Sequence, residues 1–71
     1  MRLNRLREIR EAAGLSQKKM AAIFNCSQQV YSNYELGQRG IPLELLASIV
    51  EYFDISADYI IGITDNPKIN R

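Results

Sequence analysis

Four side chains in the stretch SQQVYSNYELG, residues 27–37, can match the hydrogen-bond pattern of another molecule: Gln28, Gln29, Ser32 and Asn33. On a helix turning about a hundred degrees per residue, they share one arc, opposite Val30, Tyr31 and Tyr34. The arc carries amides and a hydroxyl, with Glu35 the only charge, at its edge. A helix face that merely meets water ordinarily shows Lys and Glu. Neutral amides in the first turns suit a different task, because Gln or Asn can bond both N6 and N7 of adenine in the DNA major groove. A solvated polar face is the alternative, and the helix alone leaves both open.

Two short helical patterns joined at a corner must hold these residues. Ser16 opens SQKKMAAIF and Ser27 opens SQQVYSNYELG, each able to cap a helix by accepting from an orphan backbone N–H. Met20, Ala21 and Phe24 form the apolar face of the first pattern, and Val30, Tyr31 and Tyr34 that of the second. Asn25 stands at the corner, where positive φ is expected and asparagine tolerates it. Gly37 is placed to end the second helix.

With these residues in view, Arg10–Gly37 resembles the helix-turn-helix of the phage repressor and Cro family, the bacterial XRE-like DNA-binding domains. The resemblance rests on R-E-A-A-G-L-S-Q at 10–17, M-A at 20–21, S-Q-Q at 27–29 and Y-E-L-G at 34–37. I-P-L-E-L-L at 41–46 and D-I-S-A-D-Y-I-I-G at 54–62 are similar to the short five-helix members. It implies an all-α, compact five-helix bundle of the lambda repressor type, with the helix-turn-helix at helices two and three. It further implies base contacts from Gln28, Gln29, Ser32 and Asn33, and phosphate contacts from Gln17, Lys18, Lys19 and Arg39. Gln17 would touch a phosphate or prop Gln28. Arg10, oddly placed beside Ile9, would pair with Glu35 and tie helix one to the end of helix three. The implied function is a sequence-specific, double-stranded DNA-binding transcriptional regulator, most often a repressor, working as a homodimer on an inverted repeat.

The chain departs from the family pattern at two places. Lys19, preceded by Lys18, occupies the position where many relatives complete a capping box with Glu. Two lysines in a first turn oppose the helix dipole, and a bound phosphate would offset them. Leu36 replaces a common polar or basic residue, which weakens the expectation of a contact at that end of helix three.

Composition narrows the function classes. The 71 residues suffice for one small domain, without room for a catalytic cleft. The apolar fraction of 46% and charged fraction of 24% are those of a globular protein. Paired carboxylates, histidines or an activated nucleophile cannot be assembled, so an enzyme is not expected. With no histidine and a single cysteine, Cys26, neither a zinc site nor an internal disulfide is expected. Cys26 is read as a small buried hydrophobe. No cofactor is implied. No apolar run approaches the ~18 residues of a membrane span and no signal peptide is visible at Met1, so a cytoplasmic setting is expected.

Net charge is only +1, yet it is segregated. Residues 1–39 hold seven basic residues against three acidic ones, and residues 40–71 hold two against five. A basic half bearing the amide arc is the electrostatic footprint of a nucleic-acid binder.

Along the chain, helix one is expected over 2–13 with Leu6, Ile9 and Ala13 inward, joined by Leu3. Gly14 ends it and Leu15 plugs the core. Helix four should start with Pro42 at its first position and bury Leu46, Ile49, Val50 and Phe53. Helix five should start at the Ser56 cap, bury Ile60 and Ile61, and stop near Gly62. A domain over 1–63 and a flexible tail over 64–71 follow. The candidate dimer surface combines the end of helix four, helix five and the tail, with Tyr52, Tyr59 and Ile63. An antitoxin-like or anti-repressor module, with a protein as main partner and DNA binding secondary, is the alternative function; a scaffold of helices with no ligand is the other.

Overall fold

The computed structural model describes residues 2–69, and within them the chain forms five α-helices and no strand. They are α1 (Asn4–Ala12), α2 (Gln17–Ile23), α3 (Gln28–Leu36), α4 (Leu43–Phe53) and α5 (Ala57–Ile61). None of these helices is long and apolar enough to cross a membrane.

Serine side chains start three of them. Ser16, Ser27 and Ser56 accept hydrogen bonds from the backbone N–H of Lys19, Val30 and Tyr59, each satisfying a donor that the first helical turn leaves without a partner. Pro42 stands one position earlier than expected. It is the N-cap of α4, with extended backbone (φ −63°, ψ 144°), and Leu43 is the first helical residue. The ring still costs no hydrogen bond there.

Helix α1 begins differently. Leu3 offers no side-chain cap; instead its N–H donates to the Glu35 carbonyl at the end of α3, at 2.9 Å. The helix is therefore shorter than the expected 2–13. Ala13, expected inside, is exposed, although its N–H still completes the helical bond to the Ile9 carbonyl at 3.1 Å.

Left-handed backbone makes the corners. Asn25 joins α2 to α3 with φ 58°, and Gly37 closes α3 with φ 74°. Asp54 ends α4 with φ 53°, a role not foreseen from the sequence. Asp, like Asn, bears this conformation more readily than most residues.

The core is a single cluster. Leu3, Leu6 and Ile9 from α1 and its approach meet Met20 and Ala21 of α2, Tyr31 and Tyr34 of α3, Ile49 of α4 and Ile60 of α5. Leu15, Phe24, Cys26, Leu46, Val50, Phe53 and Ile61 pack against it while keeping partial exposure. Cys26 is thus half-buried, and desolvation pushes its thiol pKa up. An aromatic run pins the α2–α3 corner to α4: Phe24 meets Tyr52 edge-on with centroids 5.5 Å apart, and Tyr52 meets Phe53 at 4.9 Å.

The segment from Thr64, read from the sequence as a flexible tail, makes contacts with the body as far as Pro67. The Ser56 N–H donates to the Pro67 carbonyl at 2.8 Å. Arg5 donates to the Thr64 carbonyl and pairs with Asp65. The expected flexibility of residues 70 and 71 lies outside the described residues.

Candidate nucleic-acid interface

Helix α3 presents its polar arc to solvent because its other side is anchored. Tyr31 is fully buried and Tyr34 nearly so, which fixes the helix rotation. Gln28 and Gln29 are then exposed, with Ser32 and Asn33 half-buried beside them on the arc. Gln29 Nε2 donates to Asn33 Oδ1 at 3.2 Å, one helical turn along. That bond leaves the Gln29 carbonyl oxygen as an acceptor and the Asn33 amide as a donor, side by side.

The tilt of α3 is set at its far end. Arg10 Nε donates to Glu35 Oε2 at 2.7 Å, and Arg10 Nη2 reaches Oε1 at 3.5 Å. Arg10 Nη1 donates to the Leu15 carbonyl at 2.8 Å. Both side chains are largely removed from water, with 11% and 4% of their surface exposed. The hydrogen bond from Arg10 to the Glu35 carboxylate holds the guanidinium pKa above its ordinary value, outweighing desolvation. Glu35 falls at the edge of the polar arc by helical spacing, and it is buried there because α1 closes over the end of α3 and supplies the Arg10 partner that the family resemblance implies.

Gln17 also turns to Glu35, its Nε2 donating to Oε1 at 3.2 Å. The amide is committed there, and no bond to Gln28 is formed. Nothing local in the sequence signals this contact, since the two residues lie 18 positions apart.

Tyr31 lies behind the ion pair, also unforeseen. Its hydroxyl is buried beside the Glu35 carboxylate and has no hydrogen-bond partner among the described residues. Desolvation, then the neighbouring Glu35, push its pKa far above the usual tyrosine range.

The basic candidates lie at the start of α2 and just after α3. Lys18 and Lys19 in the first turn of α2, and Arg39 after α3, are exposed and form no ion pair among the described residues. The first turns of α2 and α3 contain no acid, whereas those of α4 and α5 carry Glu44 and Asp58. The positive dipole ends flanking the arc are therefore not neutralised by their own sequence.

On the proposed dimer side, the structure separates the three residues. Tyr52 and Ile63 are exposed at 58% and 72%. Tyr59 is half-buried, with the Arg5 guanidinium 4.3 Å above its ring, so Arg5 covers the surface expected to be free.

The YobD protein of Bacillus subtilis (strain 168), described as an uncharacterised HTH-type transcriptional regulator, is 34% identical over the whole chain, which covers 65% of that protein. The HTH-type transcriptional regulators ImmR and AnsR of the same strain are 33% and 34% identical over 94% and 87% of this chain. The chain spans 53% of each, so it corresponds to about half to two thirds of the curated relatives it matches. No solved structure matches significantly. The helix-turn-helix family pattern matches residues 6–60, from Leu6 on α1 to Ile60 on α5, both in the core. With two capped helices meeting at Asn25 and the second presenting its amides, the chain belongs to the helix-turn-helix family, of the phage repressor and Cro type.

Proposed function

We propose that this protein is a transcriptional regulator that binds duplex DNA sequence-specifically, placing α3 in the major groove. The observation that carries the proposal is the exposed amide arc on a helix whose rotation is locked by buried Tyr31 and whose tilt is locked by the Arg10–Glu35 pair. Gln28 and Gln29 lead into the groove and meet base edges, with Asn33 and Ser32 behind them. Gln29 and Asn33, already bonded to one another, offer one acceptor and one donor in fixed relation, the complement of an adenine edge. Lys18, Lys19 and Arg39 meet phosphates on either side, and Gln17 braces the ion pair while facing the same strand. The names of the relatives, all HTH-type transcriptional regulators, support this use. A domain of this size reads about half a helical turn, so it acts as a homodimer on an inverted repeat, most often to repress.

A second reading, a module whose main partner is a protein, draws on one feature. An open groove of about 760 Å³ runs beside the α2–α3 corner, lined by Phe24, Leu45 and the exposed Tyr52. Selection of bound sequences from a random duplex pool separates the two. Enrichment of one motif is expected, and Gln28→Ala or Gln29→Ala should weaken binding to it by ~1–3 kcal/mol and relax one or two positions. Equal losses on the motif and on random DNA would refute base reading by these glutamines.

A further inference from the structure

The outer side of α4 carries a stripe that neither the core nor the amide arc uses. Glu44, Ser48 and Glu51 follow one another at spacings of four and three, so they share one face of the helix. Leu45 and Tyr52, each next in the chain to one of the glutamates, add apolar surface beside it. The stripe forms one wall of the groove of about 760 Å³, and the α2–α3 corner from Ile23 to Cys26 forms the other. Tyr52 meets Phe24 edge-on across the groove and still keeps 58% of its surface in water. Leu43, between the lining residues Pro42 and Glu44 in the chain, is a further exposed apolar side chain.

The charge of the groove has one sign. Glu44 and Glu51 line it, no basic residue does, and neither carboxylate forms an ion pair among the described residues. Ser48 does not serve them, since its hydroxyl donates to the Glu44 backbone carbonyl at 3.0 Å. Seven residues separate the two glutamates, which places them two turns and about 10 Å apart along α4. Such a rim repels a nucleic acid. None of Gln28, Gln29, Asn33, Lys18, Lys19 or Arg39 lines the groove, so it is a surface separate from the amide arc.

An occupant of opposite character fits it. A helix laid along α4 with two basic residues two turns apart meets both glutamates, and an apolar pair in the turn between them packs on Leu45, Tyr52 and Phe24. We propose that the groove between α4 and the α2–α3 corner docks a basic amphipathic helix of a partner protein. This docking goes beyond the DNA-binding reading and does not depend on it, because the two surfaces can be filled together. The groove wall includes Asn25, whose left-handed backbone sets how α3 follows α2. The partner therefore touches the joint of the helix pair without covering its reading face.

Cys26 lines the groove and is the single cysteine of the chain, so its alkylation by iodoacetamide reports on occupancy there. The whole chain is titrated with a helical peptide about 16 residues long that carries lysines two turns apart and a leucine–phenylalanine pair between them. The same peptide with glutamates in place of the lysines is the control. The lysine peptide should shift the backbone amides of Phe24, Leu45 and Tyr52 and slow Cys26 alkylation in proportion to the fraction bound; the glutamate peptide should do neither. Glu44→Lys/Glu51→Lys should bind the lysine peptide about tenfold more weakly and accept the glutamate peptide instead. Both positions are exposed, and a matching circular dichroism melt establishes that this variant is folded. Absent amide shifts with undiminished alkylation at millimolar lysine peptide overturn the proposal. Equal binding of the two peptides also overturns it, since the groove would then be a non-selective apolar surface. Alkylation that slows as the concentration of the protein alone rises assigns the groove to a second copy, and protection by duplex DNA assigns it to the DNA interface; either result overturns the partner helix. No DNA is present in the peptide titration, so its outcome stands whether or not the chain reads bases.

Discussion

Replacing Arg10 by Met tests the join between α1 and the reading helix. The substitution keeps much of the apolar stem and removes the cation, leaving the Glu35 carboxylate 4% exposed with only the Gln17 amide at 3.2 Å. Stranding one partner of a fully buried pair costs about 3–5 kcal/mol. Arg10 retains 11% exposure, so water can partly follow into its place, and about 2–4 kcal/mol is the expected loss. Glu35→Gln should cost less, about 1–3 kcal/mol, because Arg10 keeps its bond to the Leu15 carbonyl at 2.8 Å. In the double variant neither charge is stranded, so its loss should be smaller than the two single losses together by about 1–3 kcal/mol. A domain of this length has roughly 4–10 kcal/mol in total, so the Arg10→Met loss is a large share of it. Each kcal/mol moves the melting midpoint by about 4–8 °C at this size, within reach of a circular dichroism melt, and urea titration supplies the free energies. A cycle that closes to within about 0.3 kcal/mol would show that the two side chains act independently and would refute the reasoning.

Two further outcomes follow from the geometry. Lys18→Ala and Arg39→Ala should each lower the salt slope of DNA binding by about one unit with sequence preference intact, measured by titration at several salt concentrations; unaltered slopes in both would return these residues to solvent-facing roles. Tyr31 stays protonated in the fold but ionises in the unfolded chain near pH 10, so the unfolded state binds fewer protons above that pH and stability must fall there as pH rises. Denaturant titrations should show that fall shrinking in Tyr31→Phe, which at neutral pH should be neutral or slightly stabilising because the lost hydroxyl has no hydrogen bond to forfeit. A loss above ~2 kcal/mol at neutral pH would mean that the hydroxyl is held after all.

Much of this molecule is legible along short stretches of chain. Ser16, Ser27 and Ser56 signal their helices because a cap depends on a donor three residues away. Asn25 and Gly37 signal corners because only certain residues tolerate left-handed backbone. The amide arc follows from helical spacing once Tyr31 and Tyr34 are assigned inward. Asp54 shows the limit of such reasoning: its left-handed φ resembles that of Asn25, yet no neighbouring residue distinguishes it from an ordinary surface aspartate. Arg10 and Glu35 were matched through the family resemblance, since no local rule joins residues 25 positions apart.

What the sequence by itself determined was therefore the set of helices, the face each one buries and the side chains left on α3 to meet a partner. Those properties depend on backbone sterics and on relations within about four residues. Tertiary structure alone decided that Gln17 serves Glu35, that Leu3 hands its N–H to the end of α3, and that Arg5 covers Tyr59 while holding Thr64 and Asp65. It also decided that Glu44 and Glu51 share a groove with Phe24 and Cys26. Each of these depends on where one helix lies against another, and that placement is set by the joint packing of core residues from all five helices around Leu6, Met20, Tyr31, Ile49 and Ile60.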